Sequence, residues 1–221
     1  MAAALKNYNN PKEHTYKMAE IIETQYLPTI EWFKIVKHDT SVKIDASEHF
    51  KKMSFRNRAV IAGANGLITL SVPIQGGREK KKLMKEVEVD VVSNWRLTHI
   101  RAIESSYRKA PFYDYYADQL NDLINRNEKS LLYLNLIIIE QLCKWLKMTT
   151  PSTISDVSPN HTTNFRDTIL PKNFQDAVDW QPKYSQLFEQ KIGFQPNLSI
   201  LDLLFNEGPN ATYLLEATTN K

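Results

Sequence analysis

Apolar and polar positions run through three regimes along this chain. Up to about residue 91 the apolar runs are short and often alternate with polar residues. Alternation puts successive side chains on opposite faces, as a half-buried strand requires. This reading gives strands over Ala19–Thr24, Ser41–Asp45, Met53–Ala62 and Leu67–Ile74, with another through Val87, Val89 and Val91. Pro28 suits a first helical turn, so Thr29–Lys37 reads as a short helix after the turn Gln25-Tyr26-Leu27-Pro28. Asn65-Gly66 between two β-rich runs predicts a hairpin, and Pro73 marks the end of its second strand. From residue 94 to 147 the spacing becomes helical, over Asn94–Arg108, Phe112–Asn125 and Glu128–Lys147, with Pro111 separating the first two. Beyond Pro151 the pattern is short and broken by prolines at 159, 171 and 182, until Leu198–Asn206 closes as a helix stopped by Gly208 and Pro209.

The fold class that follows is α/β or α+β. An N-terminal mixed sheet is followed by a central cluster of helices, and an irregular C-terminal third packs back on it. Residues 1–17 are polar and aperiodic and read as a flexible leader, with Met18 as an alternative start. Residues 18–221 then form a single domain. The longest apolar run, Leu131–Leu146, is interrupted by Asn135, Glu140, Gln141 and Lys144. A membrane span needs about 18–20 clean apolar residues, so this run reads as the central helix of a core. No signal peptide is visible, and the expected location is cytoplasmic.

Composition narrows the chemistry. Lys and Arg number 28 against 25 Asp and Glu, a net charge of +3, too mild to imply nucleic acid. Cys143 is the lone cysteine, which excludes an intramolecular disulfide and a Cys-rich zinc site. The run Gln75-Gly-Gly-Arg78-Glu-Lys80-Lys81-Lys82 is either a solvated hairpin tip or a basic segment for a phosphorylated ligand or an anionic membrane surface. Signatures of P-loop, dinucleotide-binding, zinc-protease and serine-hydrolase sites are missing from the sequence. The cofactor is left unknown, as is the oligomeric state.

Two stretches stand out. On a strand, Ser54, Arg56 and Arg58 share a face, and two guanidiniums about 7 Å apart suit a carboxylate or phosphate. Equally, they would bridge acidic residues on a neighbouring element. Trp95, His99, Ile103 and Tyr107 recur every fourth residue and share one helix face. His99 there is either a general acid or base or a neutral core histidine with both nitrogens bonded. Arg96, near the helix start, is poorly placed for the helix dipole and would be held by an anion. Ser199-x-x-Asp202 has the form of a capping box, which assigns Asp202 to the helix start.

Four segments, ETQYLPTIEWFKIV, KKMSFRNRAVIAGANGLITLSVPI, NWRLTHIRAIESSYRKAPFYDYY and FQPNLSILDLLFNEGP, resemble the WbqC-like family in the form found in Bacteroidetes-type bacteria. The resemblance spans Ile21 to Pro209. It implies a place in O-antigen-like surface-polysaccharide biosynthesis and a transferase that moves an amino acid such as glycine onto a sugar. It also raises the weight on His99 as the catalytic residue. Tyr26, Ser54, Arg56, Asn57, Arg58, Trp95, Arg96 and Tyr107 would bind a small anionic substrate or nucleotide-sugar. Glu23-Thr24 stand where the family's more widespread opening has Gln-Pro, so the substrate is expected to differ if that turn touches it. The alternative from another class is a non-catalytic binding or assembly module, with these residues as structural anchors.

Overall fold

A computed structural model describes residues 20–76, 82–155, 164–176 and 183–216. The leader, Met18, most of the basic run after Gly76, and the prolines at 159 and 182 lie outside the described residues. The architecture is α/β, as the periodicities require.

The chain opens with β1 (Ile21–Ile22), α1 (Ile30–His38) and β2 (Lys43–Asp45). Thr29 caps α1 by accepting a hydrogen bond from the Trp32 amide, and Lys37 and His38 sit in the last turn, where cations complement the dipole. Its buried face carries Ile30, Trp32, Phe33 and Val36. β1 and β2 pair in parallel, with Ile21 opposite Lys43 and Ile22 opposite Ile44. The third parallel strand, β5 (Thr153–Ile154), comes from beyond Pro151 and pairs with β2. The expected N-terminal mixed sheet is thus two separate sheets, one parallel and completed from the C-terminal third, the other an antiparallel hairpin.

The hairpin joins β3 (Arg58–Gly63) to β4 (Gly66–Ser71), with Gly63 opposite Gly66. Ala64 and Asn65 keep negative φ, so the turn is not the mirror-image type, and Gly66 takes φ 122 instead. The strand expected from Met53 starts only at Arg58. Residues Phe55–Asn57 form a 3₁₀ turn, capped by the Ser54 hydroxyl accepting from the Arg56 amide. Ser54, Arg56 and Arg58 therefore do not line one strand face. The strand expected over Val87–Val91 is also corrected. Val87 and Val89 are buried as alternation demands, but the stretch makes only isolated antiparallel bridges, Glu88 with Ser130 and Val89 with Ile74, and extends into no ladder.

α2 (Trp95–Tyr107), α3 (Tyr113–Asn125) and α4 (Leu131–Trp145) follow the predicted spans within a few residues. α4 buries residues on most of its surface, including Leu134, Ile138, Ile139 and Leu142, and is the central helix of the core. Cys143 is buried on it, and burial pushes its thiol up to about 11. α5 (Glu189–Ile192), α6 (Ile200–Glu207) and α7 (Ala211–Glu216) complete the chain. The C-terminal third packs back as expected. The Ile30 amide donates to the Leu198 carbonyl, Ile200 to Pro28, and Ser199 to Val60, so α6 is stitched to both α1 and the hairpin.

Candidate functional site

Some of the residues singled out in the sequence fall into two neighbouring clusters. The first is built around Arg56 at the carboxyl edge of the parallel sheet, where open α/β sheets place their ligands. The Arg56 guanidinium is fully buried. It donates to the Glu48 carboxylate and, at 2.8 Å, to Asp167. Glu23, just after β1, lies close enough to act on it electrostatically, and Lys51 closes the rim by pairing with Asp167 at 3.1 Å. Arg166 pairs with Asp45 at the end of β2. From the core side, the Asn135 amide of α4 donates to the Arg56 carbonyl at 2.8 Å.

Burial pushes the Glu48 carboxyl up to about 7, against the opposing pull of Arg56. Glu23 is raised as well, again by burial more than Arg56 can offset. Burial also raises Asp167, but Arg56 and Lys51 win there and hold its carboxyl below the usual range. Glu48 Oε1, Arg56 Nε and Asn135 Oδ1 are buried without a hydrogen-bond partner. Both guanidinium ends of Arg56 are nevertheless spent on carboxylates, so the arginine works as a clamp between segments. Among the described residues no group of three or more His, Cys, Asp or Glu side chains is arranged to hold a metal ion.

The second cluster surrounds His99. Its Nδ1 lies 3.0 Å from the Tyr26 hydroxyl, and Trp95 packs edge-on against both rings. Burial lowers the imidazole to about 4, while a contact with the Ser71 backbone pulls weakly the other way. The ring is therefore neutral at physiological pH. It forms part of the wall of a groove of about 530 Å³ between β4 and α2. Ser71, Ser93, Asn94 and Thr98 line that groove with small polar groups, while Leu70, Pro73 and Ala102 supply apolar wall. Tyr26 connects the clusters: its amide donates to Phe55 beside Arg56, and its hydroxyl reaches His99.

The remaining predicted residues are placed elsewhere. Arg96 is held by carbonyls and needs no anion: it donates to Ile124 at 3.0 Å and Glu128 at 3.2 Å, closing the C-terminal end of α3. Asn57 closes the hairpin base through the Val72 carbonyl. Arg58 sits opposite Ser71 with its Nε buried and unpartnered. Tyr107 is buried and donates to Asp202 at 2.8 Å. Asp202 is not the cap expected of it. Ser199 caps α6 alone, and the Asp202 carboxylate accepts from Tyr107, Tyr184 and Gln186. Sequence reading missed Glu23, Asp45, Glu48 and Asp167. The available signal was three acids, Glu23, Asp45 and Glu48, each just past a short apolar run or turn in the stretch leading to Arg56, whereas Asp167 lies 111 residues beyond it and left no local signal.

A parallel sheet with a clamped arginine at its carboxyl edge, beside a largely apolar groove between β4 and α2, makes this an α/β protein. The chain belongs to the WbqC-like protein family, whose sequence profile matches residues 24–171 and 158–213. It is 26% identical over 226 residues to the uncharacterized protein Rv1507c of Mycobacterium tuberculosis, an alignment covering 88% of this chain and 96% of that one. No solved structure matches it. No described helix is long and apolar enough to cross a membrane.

Proposed function

We propose that this protein is a cytoplasmic transferase of bacterial surface-polysaccharide assembly, which moves an amino acid such as glycine onto a sugar held in the His99 groove. The supporting observation is the meeting of Ser71 on β4 with Trp95 and His99 on α2 at one groove, where a few polar groups punctuate a largely apolar wall and Tyr26 is buried behind His99. Small hydroxyl and amide groups on a rigid wall are what a sugar's own hydroxyls need as partners. A neutral imidazole there accepts or donates a hydrogen bond without carrying charge. A group with its proton affinity near 4 is a weak base at neutral pH. His99 therefore orients the acceptor group in preference to abstracting its proton. One observation favours the alternative, a non-catalytic binding module: Arg56 is already satisfied by two carboxylates, which removes it as the anchor of an activated donor.

Saturation-transfer NMR against a panel of nucleotide-sugars, with glycine present or absent, tests this reading. Signal from a sugar ring is expected with the wild type. It should vanish in Thr98→Trp, which fills the groove from an exposed position and should shift stability by no more than about 0.5 kcal/mol. Signal that survives Thr98→Trp removes the groove from the reading. Binding without an aminoacylated product by mass spectrometry, in a reaction supplied with a glycyl thioester whose thiol leaves as the sugar is acylated, favours the non-catalytic module.

A further inference from the structure

A second cleft on the described surface is larger than the His99 groove. It lies further along α2, has a volume of about 730 Å³, and shares no lining residue with that groove. Its charge is one-sided. Arg101, Arg108 and Lys109 line it, all exposed, against one carboxylate, Glu104, which pairs with Arg108 at 3.5 Å. Arg101 and Lys109 make no salt bridge among the described residues. Ser106, also in its lining, is 3% exposed, and its hydroxyl is buried without a hydrogen-bond partner. A buried hydroxyl without a partner is unfavourable, so it marks a place where an acceptor is missing. The opposite wall is apolar, made by Leu187 and Phe188.

Solvated charges at a helix end explain Arg108 and Lys109 through the dipole. They do not explain Arg101, two turns earlier, or the unpaired Ser106 hydroxyl between them. Three cations with a hydroxyl donor suit phosphate oxygens, which accept several charge-assisted hydrogen bonds at once. An adjacent aromatic edge suits a flat or apolar portion carried by the same molecule. We propose that this cleft is a binding site for a phosphorylated ligand, with Arg101, Arg108 and Lys109 holding the phosphate groups and Ser106 donating to one oxygen. The assignment does not depend on the reading of the His99 groove.

The test uses the full chain, with inorganic pyrophosphate as probe, by isothermal titration calorimetry at low ionic strength. Saturable binding is expected in the wild type. The double variant Arg101→Ala/Lys109→Ala should bind about ten-fold more weakly or worse, with an unchanged melting temperature, because both side chains are exposed. Ser106→Ala should weaken binding by a smaller factor. A parallel co-sedimentation with phosphatidylcholine vesicles carrying phosphatidic acid distinguishes a soluble ligand from a lipid headgroup. Binding of either probe that depends on Arg101 and Lys109 supports the site, and the preferred probe identifies the source. No binding of either probe, or binding equal in wild type and double variant, overturns it.

Discussion

Two buried titrating groups in this protein carry opposite pH signatures. The folded state keeps a proton on Glu48 up to about pH 7, whereas a carboxyl of ordinary value 4.5 releases it earlier in the unfolded chain. The folded state thus binds more protons between those values, and this contribution to stability falls as pH rises from 4.5 to 7. His99 works the other way. Its folded value of about 4 lies below the ordinary 6.5, so its contribution is complete above 6.5 and disappears as pH falls toward 4. Urea melts across pH 4–8 should show Glu48→Gln flattening the decline on the neutral side. His99→Gln should flatten the loss on the acid side. Arg56→Ala is expected to cost about 3–5 kcal/mol in the same melts, since it breaks a buried pair and leaves Glu48 to take up a proton in the interior without its partner. A cost below about 1 kcal/mol would return Arg56 to the list of ligand-binding groups. The sequence made Arg56 conspicuous, but the spacing of Arg56 and Arg58 carries no information about Glu48 or Asp167. Those partners arrive from other segments, one of them over a hundred residues away.

Among the elements, the long helices and the Asn65-Gly66 hairpin were legible, and the parallel sheet was legible only in part. α2, α3 and α4 are long enough for their apolar period to average over local exceptions, and Ser130 caps α4 where the run begins. β1 lies inside the strand read over Ala19–Thr24, but β5 has two residues, too few for any alternation to register. The 3₁₀ turn at Phe55–Asn57 hid because Ser54 redirects the backbone by its hydroxyl, which an apolar pattern does not record. Asp202 was misassigned for a related reason: a capping-box spelling fits local sequence, while Tyr107 and Tyr184 offer the carboxylate stronger donors from outside the helix. The stop of α6 behaves as the sequence implied. Gly208 holds φ 54, and a Cβ placed there would lie 2.4 Å from the Phe112 ring. Gly208→Ala combines that overlap with an unfavourable backbone region and should destabilise the protein by about 2–4 kcal/mol. Equilibrium denaturation of this variant and of Gly208→Ala/Phe112→Ala separates the two costs.

At the scale of the molecule, one buried carboxylate ties three parts of the chain together. Asp202 on α6 accepts from the hydroxyl of Tyr107 on α2, and from the Tyr184 hydroxyl and the Gln186 side-chain amide in the segment before α5. Tyr107 also accepts from the Ala62 amide of β3, at 3.3 Å. A double-mutant cycle of Tyr107→Phe with Asp202→Asn should give a coupling of about 1–3 kcal/mol, the range for contacting members of one hydrogen-bonded network. A coupling near zero would mean the two groups are satisfied independently. None of this wiring could be read from spacing, because each contact joins positions far apart. What the sequence did convey was the α/β class, the central helix and the return of the last third onto the first.

That return has a bearing on how the polypeptide is made. The backbone partners of Thr29 and Ile30 are Ser199 and Leu198, about 170 positions later. At a synthesis rate of about 5–20 residues per second, the opening helix waits roughly 10–30 s in the cell before its mate leaves the ribosome. During that interval Trp32 and Phe33 have no finished interior to enter. A nascent chain stalled ahead of Asn197 should thus recruit holdase chaperones, and releasing a further stretch of polypeptide should discharge them.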